Sequence, residues 1–175
     1  MEVDKILFAP EEIRARVREL AAKINAHYVG LGADSVTVVG VLKGAVVFFA
    51  DLVRELKLGV EFDFVKVSSY VGTESTREPK LTLDLSGSVT HKHVLIVEDI
   101  LDTGHTLRFL SDNIKTREPL SVQTATLFDK PSRRENGFVA DYVGFEIPDL
   151  FIVGYGLDCD GEYRQLPFVA SLKTK

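Results

Sequence analysis

The chain has 175 residues, of which 45% are hydrophobic and 27% charged, and a formal net charge of -5. A chain of this size suits one ordinary domain with a sizeable core. The acidic balance argues against a nucleic-acid or anionic-membrane surface, since both need a basic face. Cys159 is the one cysteine, which excludes an intramolecular disulfide and points to a reducing compartment.

The opening "MEVDKILFAP" is acidic early and lacks the apolar core of a signal peptide. No apolar run reaches the roughly 20 residues of a membrane span, so a soluble cytoplasmic protein is expected. "PEEIRARVRELAAKINAHYVG" places Ile13, Val17, Leu20 and Ile24 on one face, between Pro10 and Gly30, and predicts an amphipathic helix. "SVTVVGVL" is short and β-branched, as a strand buried on both faces is. "KGAVVFFADLVREL" predicts a helix with Gly44 at its mouth. "VEFDFVKVSSY" reads as a strand, and "VGTESTREPKLTLDLSGSV" as a long loop or loose hairpin. "HVLIVEDI", "SVQTATLFDK" and "LFIVGYGL" predict further strands, with a helix over "TLRFLSDNIKTRE". Strands alternating with helices define an α/β fold with a mainly parallel central sheet flanked by helices. No repeat or linker divides residues 1–175, so a single domain is expected.

"VLIVEDILDTGHTL" carries the chemistry. An apolar strand ends in Glu98, Asp99 and Asp102, then passes through Thr103, Gly104, His105 and Thr106 into a helix. A helix N-terminus offers free N–H groups and the positive end of a dipole, which suit a phosphate. Gly104 permits close approach, and the threonines add hydroxyl donors. The acids cannot serve that anion; they suit hydroxyls, a metal ion or a proton. A sugar phosphate satisfies both halves. The plainer alternative is that Asp99 and Asp102 cap the helix while Glu98 is solvated.

The stretch "EDILDTGHT" resembles the phosphoribosyl-pyrophosphate (PRPP) signature of the type I phosphoribosyltransferases. From "GVLKGA" to "EYRQLPFV" the chain resembles the hypoxanthine-guanine phosphoribosyltransferases within that group. The resemblance implies the type I phosphoribosyltransferase fold with a small hood built from terminal segments. It implies that Glu98 and Asp99 hold the ribose hydroxyls and help to place Mg2+, that Asp102 is the general base near N7 of the purine, and that Asp102 to Thr106 bind the 5′-phosphate.

"VLKGA" also joins an apolar strand to a helix. Alone it reads as a turn with a solvated lysine; beside the first motif, Lys43 and Gly44 suit pyrophosphate. The resemblance adds a cis peptide between Leu42 and Lys43. "SSYVGTEST" resembles the mobile loop that closes over the family's active site, with Ser69 and Tyr70 as its marked pair. On sequence alone it is equally a surface hairpin. Lys130 in "FDKP" reads by itself as a surface lysine before a proline turn; by resemblance it donates to the 6-oxo group of the purine. In "LFIVGYGLDCDGEYR", Phe151 matches the aromatic that stacks on the base, Ile152 a backbone carbonyl contact, Asp158 a Mg2+-associated acid that borders the base, and Arg164 a pyrophosphate contact. Singly, these residues also read as a core Phe, a turn Asp and a solvated Arg.

Two features depart or stay silent. His105 replaces the lysine often found in that slot, and would add a pH-dependent charge near the phosphate. His91 and His93 lack further soft ligands, and Mg2+ prefers oxygen.

The resemblance implies a Mg2+-dependent transferase of purine salvage. It makes IMP, and GMP from guanine, from PRPP and a 6-oxopurine, with pyrophosphate as the second product. The transition state has oxocarbenium character. A homodimer or homotetramer is implied. Two other classes stand beside this reading. Regulators of the same fold keep the PRPP loop but bind RNA or DNA; the acidic balance disfavours them. Signalling receivers need an acidic pair on the first strand, where "SVTVVGVLKG" has a lysine instead.

Overall fold

The computed structural model describes residues 2–69 and 79–173. Six strands form the main sheet in the order β4-β3-β2-β5-β6-β7. They are β2 (Ser35–Val41), β3 (Gly59–Ser69), β4 (Pro79–Leu83), β5 (His93–Leu101), β6 (Ser121–Asp129) and β7 (Tyr142–Glu146). All neighbours pair in parallel except β4, which runs antiparallel to β3 at the edge. Of the stretch expected to form a long loop or a loose hairpin, Pro79–Leu83 are β4, and residues 71–78 lie outside the described residues. Tyr70 lies outside the described residues, and Ser69 is the last residue of β3.

Three helices cover the sheet: α1 (Pro10–Gly30), α2 (Val46–Glu55) and α3 (His105–Lys115). Period-two alternation in the central strands feeds two cores. Val36 and Val38 of β2, with Leu95 and Val97 of β5, face Ile13, Val17, Leu20, Phe48 and Leu52 of α1 and α2. Val39, Val41, Val94 and Ile96 face Leu107, Leu110 and Ile114 of α3. Burial on both faces explains why these strands read as unbroken apolar runs.

β1 (Val3–Phe8), β8 (Ile152–Val153) and β9 (Val169–Leu172) form a separate three-stranded sheet in the order β1-β9-β8, the hood of terminal segments. β1, β7 and β9 were not separable by pattern alone. Some elements are shorter than their patterns predict; α3, for one, ends at Lys115 rather than Glu118. α2 starts at Val46, because Lys43 to Ala45 are spent on a turn. β8 stops at Val153, because Gly154, Tyr155 and Gly156 all adopt positive φ, at 97°, 52° and 99°. No described helix is long and apolar enough to cross a membrane.

Candidate active site

The chain leaves β2 toward β3 on one side, while β5 pairs with the other side of β2. In open parallel sheets, ligands bind beyond the carboxyl ends of the strands at this switch point. Both sequence motifs are delivered there: Leu42 to Ala45 follow β2, and Asp102 to Gly104 follow β5. The Leu42–Lys43 peptide is cis. A cavity of about 320 Å3 opens beyond β5, lined by residues 98–104 with Thr106 and Leu107.

One wall is anionic. Glu98 is 8% exposed and Asp99 is beside it on the same strand. Burial, then the charge of Asp99, hold the Glu98 carboxyl well above the usual carboxylate range. Burial also raises Asp99, opposed by hydrogen bonds from Glu98 and the Ile100 amide and by the charge of Arg164. The pair therefore favours a bound proton or a cation. Two oxygen-donor carboxylates short of countercharge match a hard divalent ion, so the residues fit Mg2+.

The opposite wall suits an anion. Gly104 has φ 91°, and a Cβ there would meet the Asn136 side-chain oxygen at 2.4 Å. Only glycine turns the chain here so that the first amides of α3 stand at the cavity. His105 Nε2 pairs with Glu135 Oε2 at 2.8 Å, so this histidine already has an anionic partner in the protein.

The segment after β8 closes against the same place. Gly156 packs on the carbonyl of Gly44, and Gly44 on the carboxylate of Asp99. The Tyr155 hydroxyl donates to Asp51 Oδ2 at 2.5 Å and ties this turn to α2. Arg164 pairs with Asp158 at 2.7 Å and donates to the Gly156 carbonyl at 2.6 Å. Asp158 also accepts from the Gly161 amide at 2.8 Å. It is not gathered with Glu98 and Asp99: among the described residues, no three His, Cys, Asp or Glu side chains are arranged to hold a metal.

Lys130 and Phe151 reverse their plain readings. Lys130, at the end of β6, is 7% exposed, with its ammonium 3.7 Å from Asp149. Phe151 is not core; it is 58% exposed just before β8. The following residue, Ile152, is buried on β8.

Sequence reasoning missed a group of charges next to Asp102. Arg133 Nε donates to Asp102 Oδ1 at 3.1 Å. Arg134 donates to the Asp102 carbonyl, to the Asp129 carboxylate, and to the Phe138 carbonyl at 2.7 Å. Adjacent arginines in "KPSRREN", straight after Lys130, were the available signal.

A buried acidic pair facing an amide-lined loop at a sheet's switch point is the arrangement of a sugar-phosphate site. Residues 4–160 match the phosphoribosyl transferase domain family, and the chain belongs to that family. More narrowly, it is 44% identical to the hypoxanthine phosphoribosyltransferase of Haemophilus influenzae, over 95% of this chain and 94% of that one. A crystal structure of the hypoxanthine-guanine phosphoribosyltransferase of Bacillus anthracis, with HEPES in its active site, superposes with a TM-score of 0.92. It is 45% identical, over 98% of this chain and 100% of that one. The hypoxanthine phosphoribosyltransferase of Trypanosoma cruzi, studied for the role of its C-terminal region in oligomeric state and activity, superposes at 0.93. It is 41% identical, over 98% of this chain and 92% of that one.

Proposed function

We propose that the chain, acting as a single domain, moves the 5-phosphoribosyl group of PRPP to a 6-oxopurine in purine salvage. Hypoxanthine gives IMP and guanine gives GMP; pyrophosphate leaves. The observation that carries this reading is the Glu98–Asp99 pair set against the amide loop 102–106, with a buried lysine at the end of the neighbouring strand. The likeness to hypoxanthine and hypoxanthine-guanine enzymes over nearly the whole chain supports the base.

In this reading the 5′-phosphate rests on the loop from Asp102 to Thr106, and Glu98 and Asp99 face the ribose hydroxyls. Lys43 with the adjoining Leu42 and Gly44 backbone, together with Arg164, holds the pyrophosphate and steadies its charge as the C1–O bond breaks. Phe151 stacks on the base, and Ile152 and Asp158 border it. Lys130 donates to the 6-oxo oxygen; a 6-amino group would leave that buried donor without an acceptor. The purine nitrogen attacks C1, and Asp102 takes the proton the base gives up. Glu98 and Asp99 would hold Mg2+, which would supply charge neutralisation for pyrophosphate. The protein works in the cytoplasm as a homodimer or homotetramer.

The test is pyrophosphate release from PRPP and Mg2+ with hypoxanthine, guanine, xanthine and adenine in parallel. Release with 6-oxopurines and none with adenine is the expected result. No release with any base, while PRPP still raises the melting temperature, would mean a sugar-phosphate site without this chemistry.

A further inference from the structure

Asp102 is the near end of a chain of four charges. Arg133 Nε donates to its Oδ1 at 3.1 Å. Arg133 Nη1 lies 3.6 Å from Asp149 Oδ2, and the other oxygen of Asp149 lies 3.7 Å from Lys130 Nζ. The chain thus runs from the group that reads the 6-oxo oxygen to the group that takes the proton.

The three outer members are solvated: the Asp102, Arg133 and Asp149 side chains are 40%, 46% and 54% exposed. Exposed pairs of this kind contribute little to folding, so stability is a poor reason for them. Lys130 differs. It is buried, and 3.7 Å is too long for a hydrogen bond, so its ammonium keeps donors for an incoming oxygen.

The backbone beneath is already clamped without Arg133. Arg134 holds the Asp102 carbonyl, and the Glu135 amide donates to the Thr103 carbonyl at 3.1 Å. What the clamp leaves free is rotation of the Asp102 carboxylate. Arg133 removes that freedom, because it occupies Oδ1 and leaves Oδ2 for the substrate.

We propose that Arg133 is a positioning residue that acts through Asp102, aiming one carboxylate oxygen at the purine, and that Asp149 holds Arg133 in place from the Lys130 side. This rests on the reading of Asp102 as the base. A purine whose 6-oxo oxygen sits on Lys130 then meets an oxygen already oriented for its proton.

The experiment measures kcat and the PRPP KM for pyrophosphate release with hypoxanthine. The full chain is used in five forms: Arg133→Gln, Arg133→Lys, Asp149→Asn, Asp102→Asn, and Arg133→Gln combined with Asp102→Asn. Arg133→Gln lowers kcat about tenfold with the PRPP KM and melting temperature unchanged, a loss typical of a misaimed catalytic group. Arg133→Lys recovers part of it, and Asp149→Asn shows a smaller loss. Adding Arg133→Gln to Asp102→Asn lowers kcat no further, since both act through one group. Unchanged kcat in Arg133→Gln, or the same loss with and without Asp102, overturns the proposal and leaves the Asp102 reading intact. Wild-type turnover in Asp102→Asn overturns that reading and the proposal with it.

Discussion

Gly44 lies so close to Asp99 that a Cβ added to it would sit 1.7 Å from Oδ2. The obstacle is the tip of a short side chain, which can turn away. Gly44→Ala therefore leaves the fold nearly intact and drives the Asp99 carboxylate from its place. Turnover falls at least about a hundredfold, the scale of losing a preorganised charged group, while the melting temperature moves little. Gly156 is the control. It has φ 99°, and its Cβ would meet the Gly44 carbonyl oxygen at 2.2 Å, which is backbone. Gly156→Ala lowers the melting temperature as well as the rate. Thermal melts of the two variants beside their rates check the contrast.

The Glu98–Asp99 pair weakens the substrate-free protein above mildly acidic pH. The folded state raises the Glu98 carboxyl, through burial and then the charge of Asp99. Between the unfolded value and that raised value, the folded state binds more protons than the unfolded one. Stability therefore falls as pH rises through this window. Glu98→Gln removes the ionisation. Its melting temperature at pH 8 exceeds that of the wild type, by about 2–4 °C for each kcal/mol relieved, while activity drops. At pH 4 the two melts converge. A variant that melts lower than wild type at pH 8 would count against the repulsion.

Asp63 has the opposite sign. Burial pushes its carboxyl up, but donors outweigh that and hold it below the usual range: the Phe64 amide at 2.8 Å, and the Ser86 amide and hydroxyl at 2.6 and 2.9 Å. These bonds tie β3 to the chain beyond β4. A depressed carboxylate contributes stability above its unfolded value, and loses it as pH falls through the folded one. Asp63→Asn therefore melts lower than wild type at pH 7, and the gap closes as pH falls below the usual carboxylate range. Paired melts across that range measure it.

How far the sequence could be read follows from where the information sits. α1 runs from Pro10 to Gly30 as its pattern predicts, because both the apolar period and the terminal signals are local. β2 and β5 were legible because burial on both faces leaves no polar interruption. β1 and β9 were not, because β1 is largely solvent-facing and their pairing joins residues about the whole chain apart. The acid cluster and the glycine turn that leads into α3 were legible because they are contiguous. The Arg133–Asp102 and Tyr155–Asp51 contacts were not: they depend on where β6 and β8 end, which no local spacing encodes. Lys130 shows the limit clearly. A lysine before proline reads as surface, and only the fold buries it.

Phe151 is a large aromatic left 58% exposed immediately before a buried strand. Such exposure contributes little to folding, so removing the ring costs the fold little. Its value lies in what covers it. In the proposed reading a base stacks on it, and an aromatic pair gains roughly 0.5–1.5 kcal/mol beyond area alone. Phe151→Ala thus raises the KM for hypoxanthine about tenfold, with the PRPP KM and melting temperature close to wild type. Phe151→Tyr keeps the ring and keeps the affinity. Steady-state kinetics varying each substrate in turn separate this from a structural role, which would lower the melting temperature and disturb both KM values together. An unchanged hypoxanthine KM in Phe151→Ala would place the base elsewhere and remove Phe151 from the site.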